Sequence, residues 1–169
     1  MKNISTIAMM FAGILIITSF NSLQAQNKNI MESTMSENDI FPKGQRGSAD
    51  YFTGIVWVAP LLAKDSINNF SIGNVVFEPG ARANWHTHPR GQVLIVTDGQ
   101  GYYQEKGKSA QSIKKGDVIN IPPDVEHWHG ASANSPLVHI AITNFENNEF
   151  VIWLSPVTDE EFKEANQIK

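Results

Sequence analysis

Five histidines lie between positions 86 and 139 of this 169-residue chain, and four of them form two His-x-His pairs, His86/His88 and His127/His129. On an extended strand, residues two apart point to the same face, so each pair can present two imidazoles side by side. The Pro89-Arg90-Gly91 segment after His88 can reverse the chain and return Gln92 towards that face. Three imidazole nitrogens, from His86, His88 and His127, and the amide oxygen of Gln92 can then converge. Nitrogen and amide oxygen together suit a borderline or hard divalent ion such as Mn²⁺, Fe²⁺, Zn²⁺ or Ni²⁺. Gln92 is neutral, so the site is more positive than one built with a carboxylate, a stronger Lewis acid with a weaker grip. Four protein ligands on an octahedral ion leave positions open for water or substrate. One His-x-His alone would fit a solvent-facing strand edge; two pairs with a turn-separated Gln favour a metal site.

His139 sits in another apolar segment, Val138-His139-Ile140-Ala141-Ile142, whose alternation puts His139, Ala141 and Thr143 on one face. If that face lines the interior, His139 meets the open side of the metal, and an imidazole of ordinary pKa near ~6.5 suits proton transfer. His129 is the second candidate for that role. A hydrogen-bonded core histidine is the competing reading of His139.

The elements that must position these groups read as strands. Tyr51 to Val58, Ile72 to Phe77, Gln92 to Thr97, Gly101 to Glu105, Asp117 to Ile121, Leu137 to Thr143 and Phe150 to Leu154 are short runs rich in β-branched and aromatic residues. Turn signals separate them, among them Pro79-Gly80, Asp98-Gly99, Lys115-Gly116 and Pro122-Pro123-Asp124. Such spacing predicts an all-β barrel or sandwich. Thr158 and Glu161 form a capping-box pattern that predicts a short C-terminal helix through Gln167. Trp85 and Trp128 each precede a histidine, so alternation sends them to the opposite face, to pack against outer elements or a partner subunit.

Composition narrows the function. The chain is 41% hydrophobic with formal net charge −4, which suits one packed domain and provides no basic footprint for nucleic acid. A small molecule is the expected partner. There is no cysteine, which excludes disulfides, thiolate metal sites and cysteine nucleophiles. Residues 1–25 carry Lys2, an apolar run from Ile7 to Ile17 and a small residue at Ala25, the pattern of a secretory signal peptide. That run is too short to span a bilayer, which takes ~20 apolar residues. Its removal takes Lys2 with it and moves the charge from −4 to −5. The expected product is a periplasmic or secreted protein free of the membrane. Residues 26–48 read as a polar arm or linker and 49–169 as the folded domain.

The spacing also carries a family resemblance. Gly80, His86-Thr87-His88, Gln92 and Gly99 resemble the first cupin motif, with Gln92 where Glu is usual. Gly116, Pro122 and His127 resemble the second, with Asp124 and Ala131 departing from the usual Gly and Asn. The stretches FEPGARANWHTHPRGQVLIVTDGQG, GDVINIPPDVEHWHGA and VHIAIT look like small bacterial cupins of the (R)-mandelonitrile lyase-like type, in which Gln at that place is usual. The resemblance implies a single-domain jelly-roll barrel, or double-stranded β-helix, in a homo-dimer or homo-tetramer. It implies one metal ion, manganese first, on His86, His88, Gln92 and His127, with His129 and His139 as polar groups in the pocket. The implied activity is cleavage of a cyanohydrin to a carbonyl compound and cyanide, with a neutral histidine taking the hydroxyl proton. Lyase members commonly carry Thr where this chain has Ala83, so one substrate-binding hydroxyl is missing. An iron- or manganese-dependent dioxygenase and a binding protein without turnover are the alternatives that fold and ligands leave open.

Overall fold

The computed structural model describes residues 40–167. The chain divides into two units, Met1–Pro42 and Lys43–Lys169; only residues 40–42 of the first are described, and the account below concerns the second. The expected signal peptide, 1–25, lies outside the described residues, as does 26–39 of the expected arm.

The strands are β1 (Gln45–Arg46), β2 (Phe52–Thr53), β3 (Val56–Leu62), β4 (Phe70–Phe77), β5 (Arg82–Ala83), β6 (His86–Thr87), β7 (Gln92–Glu105), β8 (Gln111–Lys114), β9 (Val118–Ile121), β10 (His127–Ala131), β11 (Leu137–Asn144) and β12 (Ile152–Trp153). One helix, α1 (Asp159–Ala165), follows. All strand pairings are antiparallel and form the two curled layers of a jelly-roll barrel. In one layer β1, β3, β4, β11, the first half of β7 and β9 are neighbours. In the other, β2, β5, β10, the second half of β7 and β8 pair in turn, and β6 joins β10 to β12. The sheet already includes Gln45 and Arg46, which lie opposite Val58 and Trp57. No helix among the described residues is long and apolar enough to cross a membrane.

Alternation along the strands puts Phe77, Leu94, Val96, Ile113, Ile121 and Leu137 into the barrel, each at most 2% exposed. Burying a side chain of this size stabilises by ~1.5–3 kcal/mol. A second cluster lies on the outer face of the other layer, where Trp85, Trp128 and Tyr102 pack with Val157, Ala165 and Phe162. Trp85 and Trp128 thus face away from the histidines, as alternation requires, and α1 covers them. The capping box forms as the sequence indicates, with Thr158 accepting from the Glu161 amide and Glu161 reaching back to the Thr158 amide.

One expected turn is not a turn. Asp98-Gly99 lies inside the 14-residue strand β7. Gly99 has φ +72°, and a Cβ there would lie 1.9 Å from the Pro136 carbonyl oxygen, so the residue bends the strand where another backbone presses on it. The β7–β11 register slips between Val138 and His139, and β7 passes from one layer to the other. Gly99→Ala should therefore cost about 2 kcal/mol or more of unfolding free energy. Urea denaturation checks this, and a variant as stable as the parent would show that the bend does not need glycine.

Candidate metal centre

Four strands bring the five histidines and Gln92 together. β6 carries His86 and leads to His88, the Pro89–Gly91 turn returns the chain to Gln92 at the start of β7, and β10 supplies His127 and His129. His86 and His127 are direct cross-strand partners. Their ring centroids are 4.2 Å apart, with His88 5.1 Å from His86 and 5.5 Å from His127. His129 lies 5.3 Å from His86, and His139, from β11, lies 4.9 Å from His129. All five imidazoles are at most 5% exposed.

Main-chain acceptors fix three of the rings. His86 Nδ1 bonds the Asn84 carbonyl at 2.8 Å, His127 Nδ1 bonds that of Val125 at 2.8 Å, and His88 Nδ1 bonds that of Phe150. Each carbonyl requires a proton on Nδ1 and leaves the Nε2 lone pair free, the tautomer a metal-binding imidazole uses. Gln92 is oriented by the same logic: its amide nitrogen donates to Thr143 Oγ1 at 2.9 Å, so its oxygen is left over. His88 Nε2, His127 Nε2 and Gln92 Oε1 are buried without a hydrogen-bond partner. Leaving a buried polar atom unpaired costs ~1–3 kcal/mol, and acceptors cannot satisfy one another. A cation among them removes that cost, so the donor set fits a divalent metal.

The electrostatics agree. Burial, followed by repulsion from the His127 and His88 rings, holds His86 well below the ordinary imidazole range. Burial lowers His88 against the opposing pull of the Phe150 carbonyl and Gln92, and it lowers His127 to about 4 against the Val125 carbonyl. Burial also depresses His129 strongly and brings His139 to about 4. All five rings are neutral at pH 7, and metal binding needs neutral imidazole.

The expected ligands His86, His88, Gln92 and His127 are brought to one end of the barrel. His129 lies as near: ligand atoms of His86, His127 and His129 all fall within 4.8 Å of one another, so three buried histidines could hold an ion by proximity alone. What separates the rings is their back side. His129 Nδ1 and both nitrogens of His139 have no hydrogen-bond partner, whereas His86, His88 and His127 are tied at Nδ1. His139, Ala141 and Thr143 face inward, as their alternation indicates, and Thr143 is the residue that holds Gln92. Ala83 is 1% exposed within the core, with no hydroxyl to offer.

Two neighbours escape a sequence reading. The Tyr103 ring lies 5.7 Å from that of His127, and its hydroxyl donates to Glu105 at 3.2 Å. Burial, with Glu105 beside it, raises the Tyr103 pKa. The only available signal was register, since Tyr103 and Glu105 stand opposite His129 and His127.

The buried neutral rings have a consequence for metal-free protein. Above pH 6.5 imidazole is neutral in the folded and unfolded chain alike. Below it the unfolded chain takes up protons first, so stability is lost as pH falls from 6.5 towards 4. His127 and His139 should each contribute a slope of up to ~1.4 kcal/mol per pH unit in that window. Urea melts of chelated protein from pH 7.5 to 4.5 check this, and a flat profile would contradict it.

Comparison with known proteins agrees with the geometry. The family pattern described as "Cupin domain" matches residues 73–143. A protein of Granulicella tundricola named (R)-mandelonitrile lyase is 42% identical over 118 residues, covering 70% of this chain and 90% of its own length. The crystal structure of a cupin-like protein from Thermotoga maritima superposes with a TM-score of 0.75 at 51% identity, covering 78% of this chain and 100% of that one. A germin-like protein of Arabidopsis thaliana is 28% identical over 66% of this chain and 56% of its own. The jelly roll and these likenesses leave one assignment: the chain belongs to the cupin family, among the cupins of the (R)-mandelonitrile lyase type.

Proposed function

We propose that the protein holds one manganese ion on His86, His88, Gln92 and His127 and is a lyase that cleaves a small cyanohydrin to a carbonyl compound and cyanide, with the reverse addition when cyanide is supplied. The observation that carries this is the set of buried, unpartnered acceptor atoms, His88 Nε2, His127 Nε2 and Gln92 Oε1, beside imidazoles with no partner of their own. The relative named (R)-mandelonitrile lyase supports the choice of reaction. His129 is kept out of the ligand set because no carbonyl fixes its tautomer, as one does for the other three rings.

Bound there, the ion would polarise the oxygen that is a hydroxyl in the cyanohydrin and a carbonyl in the product. The remaining work falls to the chain. Burial holds His139 at about 4, below the ordinary imidazole value on which the sequence reading rests, so it is neutral at pH 7 but a weaker base than expected, and its one lone-pair nitrogen can take the hydroxyl proton. As the carbon–carbon bond breaks, its electron pair leaves with cyanide, and a proton returned through His129 makes hydrogen cyanide. The proton that His139 takes and the one that His129 gives balance, so none is gained overall; the two rings stand edge to face with centroids 4.9 Å apart. Phe77, Leu94 and Val96 keep water from the wall behind them. We also infer that the mature protein works outside the cytoplasm on a small molecule, as a dimer or tetramer. That rests on the pattern of residues 1–25, the acidic net charge and the family resemblance.

Metal analysis of protein purified from its native compartment, paired with mandelonitrile cleavage with and without added Mn²⁺, tests the proposal. About one manganese per chain and Mn²⁺-dependent cleavage are expected. His127→Ala should lose both metal and activity, whereas His139→Ala should keep the metal and lose ~10²–10⁴-fold in turnover. Iron with oxygen uptake in place of cleavage would overturn the lyase reading, and full activity in His139→Ala would overturn the base.

A further inference from the structure

The strand that carries the first histidine pair is short and poorly supported by the barrel itself. β6 has two residues, and its pairing with β10 is the single step His86 to His127. Its other edge is covered by the C-terminal segment, which runs antiparallel to it. Phe150 gives its carbonyl to His88 Nδ1, and Ile152 and Trp153 pair with Thr87 and His86. The Leu154 amide donates to the Trp85 carbonyl at 2.8 Å, and the Trp85 amide donates to the Ser155 carbonyl at 3.0 Å. The Trp153 ring lies 4.9 Å from that of His86.

At the far end of this zipper stands Arg82. Its Nε and Nη2 donate to the Val157 carbonyl at 3.2 and 3.1 Å, and Nη2 also meets Asp159 at 2.6 Å. The guanidinium lies over the Phe162 ring at 4.7 Å. Its side chain is only 7% exposed, whereas that of Asp159 is 89% exposed. A buried cation is costly unless its donors are used, and here Nε and Nη2 are spent on the strap. The exposed ion pair contributes little by comparison.

We propose that residues 150–162 are a strap that positions His86 and His88 for the metal, and that Arg82, which touches neither ligand, is its anchoring residue. This rests on the metal reading above. Because binding and docking share the same strand, they are reciprocal: a loosened strap weakens metal binding, and metal tightens the strap.

Titration with Mn²⁺ alone, against folded wild-type and variant protein, tests the proposal. Arg82→Met, which keeps an unbranched side chain and removes the donors, should bind Mn²⁺ about tenfold to a hundredfold more weakly, the range typical of groups that orient ligands. Arg82→Lys should recover part of the loss, and Asp159→Asn should change little. Hydrogen exchange on wild-type protein gives a second reading that needs no variant: Mn²⁺ should slow the Trp85 and Leu154 amides more than those of the β4–β11 ladder. Wild-type affinity in folded Arg82→Met would overturn the anchor. Unchanged exchange at Trp85 and Leu154 with Mn²⁺ bound would overturn the strap, and this measurement decides if the Met variant does not fold. Wild-type protein that binds no Mn²⁺ would overturn the metal reading itself.

Discussion

A buried imidazole needs an acceptor for its N–H, and the acceptor chooses which nitrogen keeps a free lone pair. In this barrel the carbonyls of Asn84, Val125 and Phe150 make that choice for His86, His127 and His88, and each time they leave Nε2 free. Two of these acceptors come from residues two positions before the histidine they hold, so the local strand geometry sets the tautomer. The third comes from the C-terminal segment, which ties the end of the chain to the site. Thr143 does for Gln92 what the carbonyls do for the rings. The result is a convergence of acceptors with no donor among them, and a cation resolves it.

The apolar shell that makes this set expensive also gives it its chemistry. Leu94, Val96 and Phe77 exclude water, so the histidines remain neutral and their lone pairs remain available. The same burial leaves His129 and His139 neutral, with no hydrogen bond of sound geometry at His129 Nδ1 or at either His139 nitrogen, although the Ile140 main chain partly offsets burial at His139. Two classes of histidine thus arise in one cavity: three rings held at Nδ1 by a well-formed bond to a main-chain oxygen, and two that are not so held. The proposed division between groups that hold an ion and groups that move a proton rests on that difference.

Much of this is legible in the sequence. The period of two in His86-Thr87-His88 and His127-Trp128-His129 puts the rings on one face and the tryptophans on the other, and the structure keeps both statements, with α1 over Trp85 and Trp128. Alternation around His139 also placed Thr143 inward, though not its bond to Gln92. Asp98-Gly99 misled because a glycine that bends a strand and a glycine that reverses one look alike in sequence; only the Pro136 backbone distinguishes them. Asp124 takes φ +61° where the family usually has Gly, a conformation that Asp tolerates better than most residues, so that departure keeps the turn. The Phe150 carbonyl could not have been foreseen. It is a main-chain group, 62 residues from His88, and side-chain identity does not announce it.

On this reading back-side carbonyls, not proximity, select the ligands. A crystal structure of the manganese-loaded protein, with anomalous scattering recorded at the manganese edge, distinguishes the two. One anomalous peak bonded to Nε2 of His86, His88 and His127 and to Oε1 of Gln92 is expected, with His129 turned to the substrate side. A peak held by His86, His127 and His129, with His88 and Gln92 outside its coordination sphere, would contradict it.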